Sequence, residues 1–362
     1  MQTALLEILC CPYCHADLRL EVVEGTPAAQ QPTDSNLCGC DMSYEVRDDV
    51  PVFCPQVEHS GVRNQVSTYS TWWERYHDEN SIVDPAHRAA FHESLRIPPD
   101  DFQHRVVLDA GCGNGRFSYV VSHYGPNLLV SFDISSGVLH AKKVIRERNR
   151  SANVAFVQGD VTAPPFKAGS FDIVFSWGVL HHTPRIRQTF SKIATLVKLG
   201  GTLAVYVYEF HPLYRHDRQA WSLVAYLRSL FLIRPLRFFC SRLPAQVVHF
   251  VFVLIYYFER SINVGLVGCH GPLNERWDKE RYCRVAIDRF KTRYASEHQL
   301  EEVIEWFAEN GCNRLLVGGN PRLSIAATRE SASPLDSVDV NITGPRTTRT
   351  DRRSRPEPTV LT

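Results

Sequence analysis

Leu108-Asp109-Ala110-Gly111-Cys112-Gly113-Asn114-Gly115-Arg116-Phe117 joins an apolar run, Val106-Val107-Leu108, to an apolar stretch over Phe117–His123 that stops before Gly125. That is the pattern of a strand, a glycine turn and a helix. The same alternation continues downstream. Leu128–Phe132 reads as a second strand, followed by a helix through Lys142, Lys143 and Arg146. Val154–Val157 and Phe171–Trp177 read as a third and a fourth. A helix over Arg185–Val197, stopped by Gly200-Gly201, precedes a fifth strand over Thr202–Val207. Short apolar strands alternating with helices predict an α/β fold on a parallel sheet. The end of the pattern differs. Ser296-Glu297-His298-Gln299 has capping-box spacing, and Leu300, Val303, Ile304 and Phe307 follow on one helix face. Leu315–Val317 and Leu323–Thr328 flank Gly318-Gly319-Asn320-Pro321, so an antiparallel hairpin is expected to close the sheet.

The glycine loop restricts its ligand. A glycine turn between strand and helix lets a ligand approach bare backbone amides. Dinucleotide-binding loops read G-x-G-x-x-G and seat a pyrophosphate. Here the spacing is G-x-G-x-G and Asp109 stands at its head, where a carboxylate would repel phosphate. It would attract a ligand carrying an ammonium and a sulfonium, as S-adenosylmethionine (SAM) does. Asp133 ends the second strand, where a carboxylate can accept from both ribose hydroxyls. Asp160, after the third strand, can accept from an adenine amino group. Taken singly, each aspartate is more often a turn or helix-cap residue; their shared place at the carboxyl ends of successive strands points to a ligand site.

LDAGCGNGRF, the strand ending at Asp133, GSFDIVFSWGVLHHT and LVKLGG together resemble class I SAM-dependent methyltransferases, methyltransferase-11-like, in the branch with ubiquinone and menaquinone biosynthesis methyltransferases. The resemblance covers residues 105–207, and 296–328 in topology. It implies a Rossmann-like seven-stranded sheet of order 3-2-1-4-5-7-6. It also implies SAM contacts from Asp109, Gly111, Gly113, Gly115, Asp133, Asp160 and Ser176.

Six of the eleven cysteines fall in the first 54 residues. Clustered cysteines without a secretory leader favour metal over disulfides. Cys11-Pro-Tyr-Cys14 and Cys38-Gly-Cys40 make two pairs suited to tetrahedral zinc, with Cys10 and Cys54 as further candidates. LLEILCCPYC and the stretch through Pro51 resemble the small zinc-ribbon-like activators of tRNA and translation-factor methyltransferases, although Leu37 stands where that pattern has a cysteine. Structural zinc on Cys11, Cys14, Cys38 and Cys40 is the expectation; the alternative is a metal-free ribbon of reduced, buried cysteines.

The expected organisation is a zinc-ribbon-like module (1–56), an N-terminal helical cover (57–104) and the SAM-binding core (105–208). A helical insertion or lid (209–297), a closing helix and hairpin (298–328) and a disordered tail (329–362) follow. The insertion contains Val247–Phe258 (VVHFVFVLIYYF), the most apolar run in the chain. It is too short to span a bilayer, which takes about 20 residues. It suits either a buried lid helix or peripheral membrane contact through 243–258, with Arg228, Arg234, Arg237 and Arg242 nearby. With 40 Lys+Arg against 39 Asp+Glu in 362 residues, no extended nucleic-acid surface is expected. No charged and apolar leader opens the sequence, so a cytoplasmic protein is expected.

Methyl transfer to a phenol, hydroxyl or carbon acid benefits from a base. His181 and His182 follow the fourth strand, with His181 preferred as base or orienting group and helix capping or packing as the alternative. Tyr69, Trp72 and Trp73 could cover the SAM pocket or line the acceptor site, or simply pack on the sheet. Arg289, Arg293 and Tyr294 could meet an acidic acceptor, or serve in surface ion pairs. The reading is O- or C-methylation of a small lipophilic or aromatic acceptor. The alternatives are an RNA or protein methyltransferase that docks through the cysteine module, and a non-catalytic partner subunit.

Overall fold

The computed structural model describes residues 1–22, 35–39, 42–53, 66–71, 73, 82–209, 229–262, 278–318, 323–330 and 339–342. The N-terminal segment opens with a helix over Thr3–Ile8 and forms strands β1 (Arg19–Val22), β2 (Ser35–Gly39), β3 (Met42–Arg47) and β4 (Val50–Phe53). The core adds β5 (Val106–Ala110), β6 (Leu128–Asp133), β7 (Val154–Gly159), β8 (Phe171–Trp177) and β9 (Val197–Val207). The chain closes with β10 (Cys312–Val317), β11 (Leu323–Arg329) and β12 (Asp339–Ile342).

The sheet is larger than the seven strands expected. Its order is β1-β2-β3-β4-β7-β6-β5-β8-β9-β11-β10-β12. Strands β4 to β9 pair in parallel where they are neighbours, and β11 runs antiparallel between β9 and β10. The cysteine-bearing segment therefore extends the central sheet: β4 pairs in parallel with β7 through Val52 and Phe53. Leu5, Leu9, Cys11, Tyr44 and Phe53 share one buried cluster with Val157, Val161 and Phe166 of the core.

Side-chain alternation explains why the strands are buried on both faces. Leu108, Val130, Phe132 and Val157 point to one apolar layer, whereas Val107, Leu129, Phe156 and Phe175 point to the other. Helices cover both layers, among them Ala86–Leu95, Arg116–Ser122, Gly137–Arg148, Ile186–Thr195 and Leu300–Glu309.

Several local expectations change. Strand β9 starts at Val197, because the chain bulges through Gly200 (φ +79°) and stays in the ladder. The helix at 300 starts without its capping box: Gln299 is the cap and makes no side-chain bond, while Ser296 is engaged elsewhere. Residues 339–342, expected to lack structure, pair in parallel with Arg314–Val317, whose outer edge has ladder groups to offer. The rest of the tail after 342, the turn at 319–322 and Trp72 lie outside the described residues.

The insertion builds a helical unit with its own core. The helix Ala245–Ile262 packs through Val248, Phe252 and Tyr256 on the helix Lys279–Phe290, against Tyr282, Ala286 and Phe290. Glu259, 1% exposed, accepts a 2.8 Å hydrogen bond from the Tyr282 hydroxyl in that interface. Of the two readings of this run, a buried lid helix or a surface-lying one, the helix shows features of each: Val248, Phe252 and Tyr256 are buried, whereas Phe250, Leu254, Tyr257 and Phe258 are exposed.

Candidate active site at the carboxyl edge of the sheet

The loop after β5 turns through three left-handed glycines, Gly111 (φ +97°), Gly113 (φ +56°) and Gly115 (φ +86°). Only glycine takes these angles without strain. Space is also short: a Cβ at Gly111 would run into the Val179 side chain, and one at Gly113 would lie 2.5 Å from the Trp73 ring. The amides are not bare, contrary to expectation. Gly111 and Cys112 both donate to the Phe132 carbonyl, at 2.7 and 3.0 Å, and Gly113 donates to Asp133 Oδ2 at 2.8 Å. These three donors are therefore committed within the protein, and the carboxylates Asp109 and Asp133 set the charge beside the loop.

Asp109 is 2% exposed and accepts a 2.7 Å bond from the Ser118 hydroxyl, which in turn receives one from Ser131. Burial pushes its carboxyl up to about 7; the Ser118 hydroxyl opposes the shift and the nearby Asp133 adds to it. Asp133 is also raised by burial, against bonds from the Ser135 hydroxyl and amide and the Gly113 amide. Asp160 follows β7 and accepts from the Thr162 amide at 2.7 Å, closing its own turn. The buried Ser176 hydroxyl donates to the Ala110 carbonyl at 2.8 Å, tying the end of β8 to β5.

The two histidines sit in a short turn, Leu180–His182, and both are buried. His181 stacks on Tyr208, with ring centroids 3.8 Å apart, and neither ring nitrogen has a hydrogen-bond partner among the described residues. Burial, reinforced by His182 and His298, holds its pKa well below 6.5, so the ring is neutral. Its carbonyl accepts from the Ser296 amide and hydroxyl, which is where the lost capping residue is used.

His182 is built differently. Its Nδ1 donates to the Tyr294 carbonyl at 2.9 Å, which leaves Nε2 as the basic nitrogen of the neutral ring. Asp288 Oδ1 lies 3.5 Å from that Nε2. Burial lowers the His182 pKa; Asp288 and the Tyr294 carbonyl pull it back up. Asp288 also accepts from the Tyr208 hydroxyl and, at 3.4 Å, from the Tyr69 hydroxyl. Tyr69 stands edge-on to His182, and Asp133 contributes to raising its pKa, so this cluster and the glycine loop share one neighbourhood.

Asp288 was not singled out by sequence reasoning, which passed it over for its neighbours. Arg289 is held by Glu297 at 3.1 Å, Arg293 is exposed, and Tyr294 contributes its carbonyl.

Half of the expected metal site can be described. Cys11 Sγ lies 3.1 Å from the Tyr44 hydroxyl. Burial would raise its pKa, but hydrogen bonds from the Cys14 amide and from Tyr44 outweigh burial and bring it to about 7. Cys14 is exposed. The Cys38 side chain, Cys40 and Cys54 lie outside the described residues, and among the described residues no group of three or more His, Cys, Asp or Glu could hold a metal.

Residues 108–205 match the family described as a methyltransferase domain. A methyltransferase-type protein of Encephalitozoon cuniculi is 33% identical over 139 residues, covering 37% of this chain and 60% of its own. Sterol 24-C-methyltransferase ERG6 of Saccharomyces cerevisiae is 29% identical over 122 residues, 33% of this chain and 32% of its own. Demethylmenaquinone methyltransferase of Lactococcus lactis is 31% identical over 119 residues, 32% of this chain and 47% of its own. The chain thus spans less than two thirds of each relative. The residues that match the methyltransferase-domain family, 108–205, are those that form strands β5 to β8 and most of β9 of the parallel part of the sheet.

Proposed function

We propose that this protein transfers a methyl group from SAM to an oxygen or carbon of a small lipophilic acceptor. The observation that carries the reading is one shared edge: buried Asp109 and half-buried Asp133 flank a glycine cradle, and a His182–Asp288–Tyr208 cluster stands beside it. The residues fit the cofactor. Two carboxylates suit a polyhydroxylated cation, and buried Asn114 Oδ1 and Ser136 Oγ have no partner among the described residues. SAM supplies an electrophilic methyl on a sulfonium when bound. Asp133 would hold the ribose, Asp109 would attract the cationic methionine end, and Asp160 would accept from the adenine amino group.

His182 rather than His181 is the residue arranged to accept a proton. Its Nδ1–H is pinned by the Tyr294 carbonyl, so in the neutral ring Nε2, on the side of Asp288, is the nitrogen that would take the acceptor's proton. Asp288 then stabilises the imidazolium, as an oriented carboxylate does. Positioning the acceptor in line with the methyl, at about 3–3.5 Å, supplies the rest of the acceleration. The insertion's apolar composition and the sterol and quinone relatives support a lipophilic acceptor.

The test is incubation with SAM labelled in its methyl group and a total lipid extract. Label in the organic phase, lost in Asp133→Ala, is expected. Label confined to RNA or protein would refute the acceptor class, and no SAM binding in calorimetry would refute the whole reading.

A further inference from the structure

The helix Ala245–Ile262 is apolar on two opposite sides. One side, Val248, Phe252 and Tyr256, is spent on the insertion's core. At 3.6 residues per turn, Val247, Phe250, Leu254, Tyr257 and Phe258 fall within an arc of about 100° on the other side. These five are 43% to 61% exposed. The preceding helix, Arg234–Cys240, adds exposed Phe238 and Phe239, and Phe231 and Leu243 flank it. An ordinary surface helix would carry polar residues here, and a contiguous exposed apolar face marks an interaction site.

The charges beside the face identify its partner. Residues 229–262 contain Arg234, Arg237, Arg242 and Arg260, and their one acid, Glu259, is buried on Tyr282. Arg234, Arg242 and Arg260 are exposed. Arg242 lies 3.6 Å from the centroid of the Phe238 ring, so cation and aromatic are presented together. Within the described residues 229–262, an apolar crest accompanies exposed arginines and no exposed carboxylate, a combination that complements an anionic bilayer. Two copies apposed through this face would bring like charges together. Spanning is disfavoured, because Val248, Phe252 and Tyr256 would have to leave the helix Lys279–Phe290.

We propose that this crest docks the protein onto an anionic lipid surface, lying in the plane of the headgroups with Phe250, Leu254 and Tyr257 inserted. The proposal does not depend on the methyl-transfer reading.

It is tested with the full-length protein by co-sedimentation with vesicles of phosphatidylcholine alone or mixed with phosphatidylglycerol. The protein should pellet with the mixed vesicles and be weakened by salt. Phe250→Glu with Leu254→Glu should lower partitioning by about tenfold or more. Arg234→Glu with Arg242→Glu should remove the preference for the anionic vesicles. Circular dichroism and SAM calorimetry establish that the variants are folded, and the milder Phe250→Ser should show an intermediate loss. The proposal is overturned if the wild type pellets with neither vesicle, or if folded variants partition like wild type. It is equally overturned by resistance to carbonate extraction, which would mean spanning, or by a stable dimer that Phe250→Ser dissociates.

Discussion

Asp109 makes cofactor binding depend on pH in a direction that can be worked out. Its carboxyl is raised from 3.8 to about 7, chiefly by burial. Between those values the folded chain holds a proton that the unfolded chain has released, so this group's contribution to stability falls as pH rises from 4 to 7. Three units correspond to about 4 kcal/mol. A cation at the loop reverses the preference and favours the ionised form. Binding of SAM should therefore expel a proton, and its affinity should fall as pH falls below 7. With half of Asp109 ionised at pH 7 and about one hundredth at pH 5, the Kd should weaken roughly 50-fold between them. The α-amino group of SAM, with an ordinary pKa of about 7.7–8.0, is protonated over that window and does not offset the effect. The assay is calorimetry at several pH values, in buffers of different ionisation enthalpy, which counts the released proton. Asp109→Asn should bind SAM weakly with no pH dependence between 5 and 7. At pH 8 it should also be more stable than wild type by up to about 4 kcal/mol, because no buried charge is left to desolvate. A flat Kd from pH 5 to 8, or an unchanged slope in Asp109→Asn, would refute the reasoning.

Other expectations test different parts of the site. Gly111→Ala should cost about 1–3 kcal/mol in denaturant unfolding and weaken SAM binding, since φ is +97° and the new methyl meets Val179. Asp288→Asn should lower kcat with little change in SAM affinity. Because Asp288 raises the His182 pKa, the acid limb of the kcat profile should also move to lower pH; an unmoved limb would reduce Asp288 to a structural role. Trp306→Ala, behind the closing hairpin and 1% exposed, should lose about 3–5 kcal/mol of stability while the folded fraction binds SAM normally.

What could be read from the chain, and what could not, divides by distance along it. The loop at 109–116 and strands β5 to β8 declare themselves through local signals: buried runs of four to seven residues, glycines at left-handed positions, a carboxylate at a strand end. The fate of the loop amides was not readable, because their acceptors, Phe132 and Asp133, belong to another strand. The histidine pair was visible, but its order of use was not. Tyr294, which fixes the His182 tautomer, is 112 residues away, and Asp288, which anchors Tyr208, is 80 residues from it. Neither carries a motif. Ser296 shows a local rule yielding to tertiary structure: its capping-box spacing is real, yet its amide and hydroxyl both donate to the His181 carbonyl, in place of a cap worth about 1 kcal/mol.

The apolar run at 247–258 is the sharper case. Composition cannot distinguish a helix buried all round from one with a core side and a lipid side, since both are nearly continuous in Val, Phe, Leu and Tyr. The distinction lies in how much of the circumference the partners cover. The helix Lys279–Phe290 covers one arc, through Tyr282, Ala286 and Phe290, and Phe250, Leu254 and Tyr257 fall outside it. Apolar side chains that do not serve the core must serve something else or risk aggregation. With the lipophilic acceptor proposed above, a surface that rests on the phase where such an acceptor dissolves would give that excess a use.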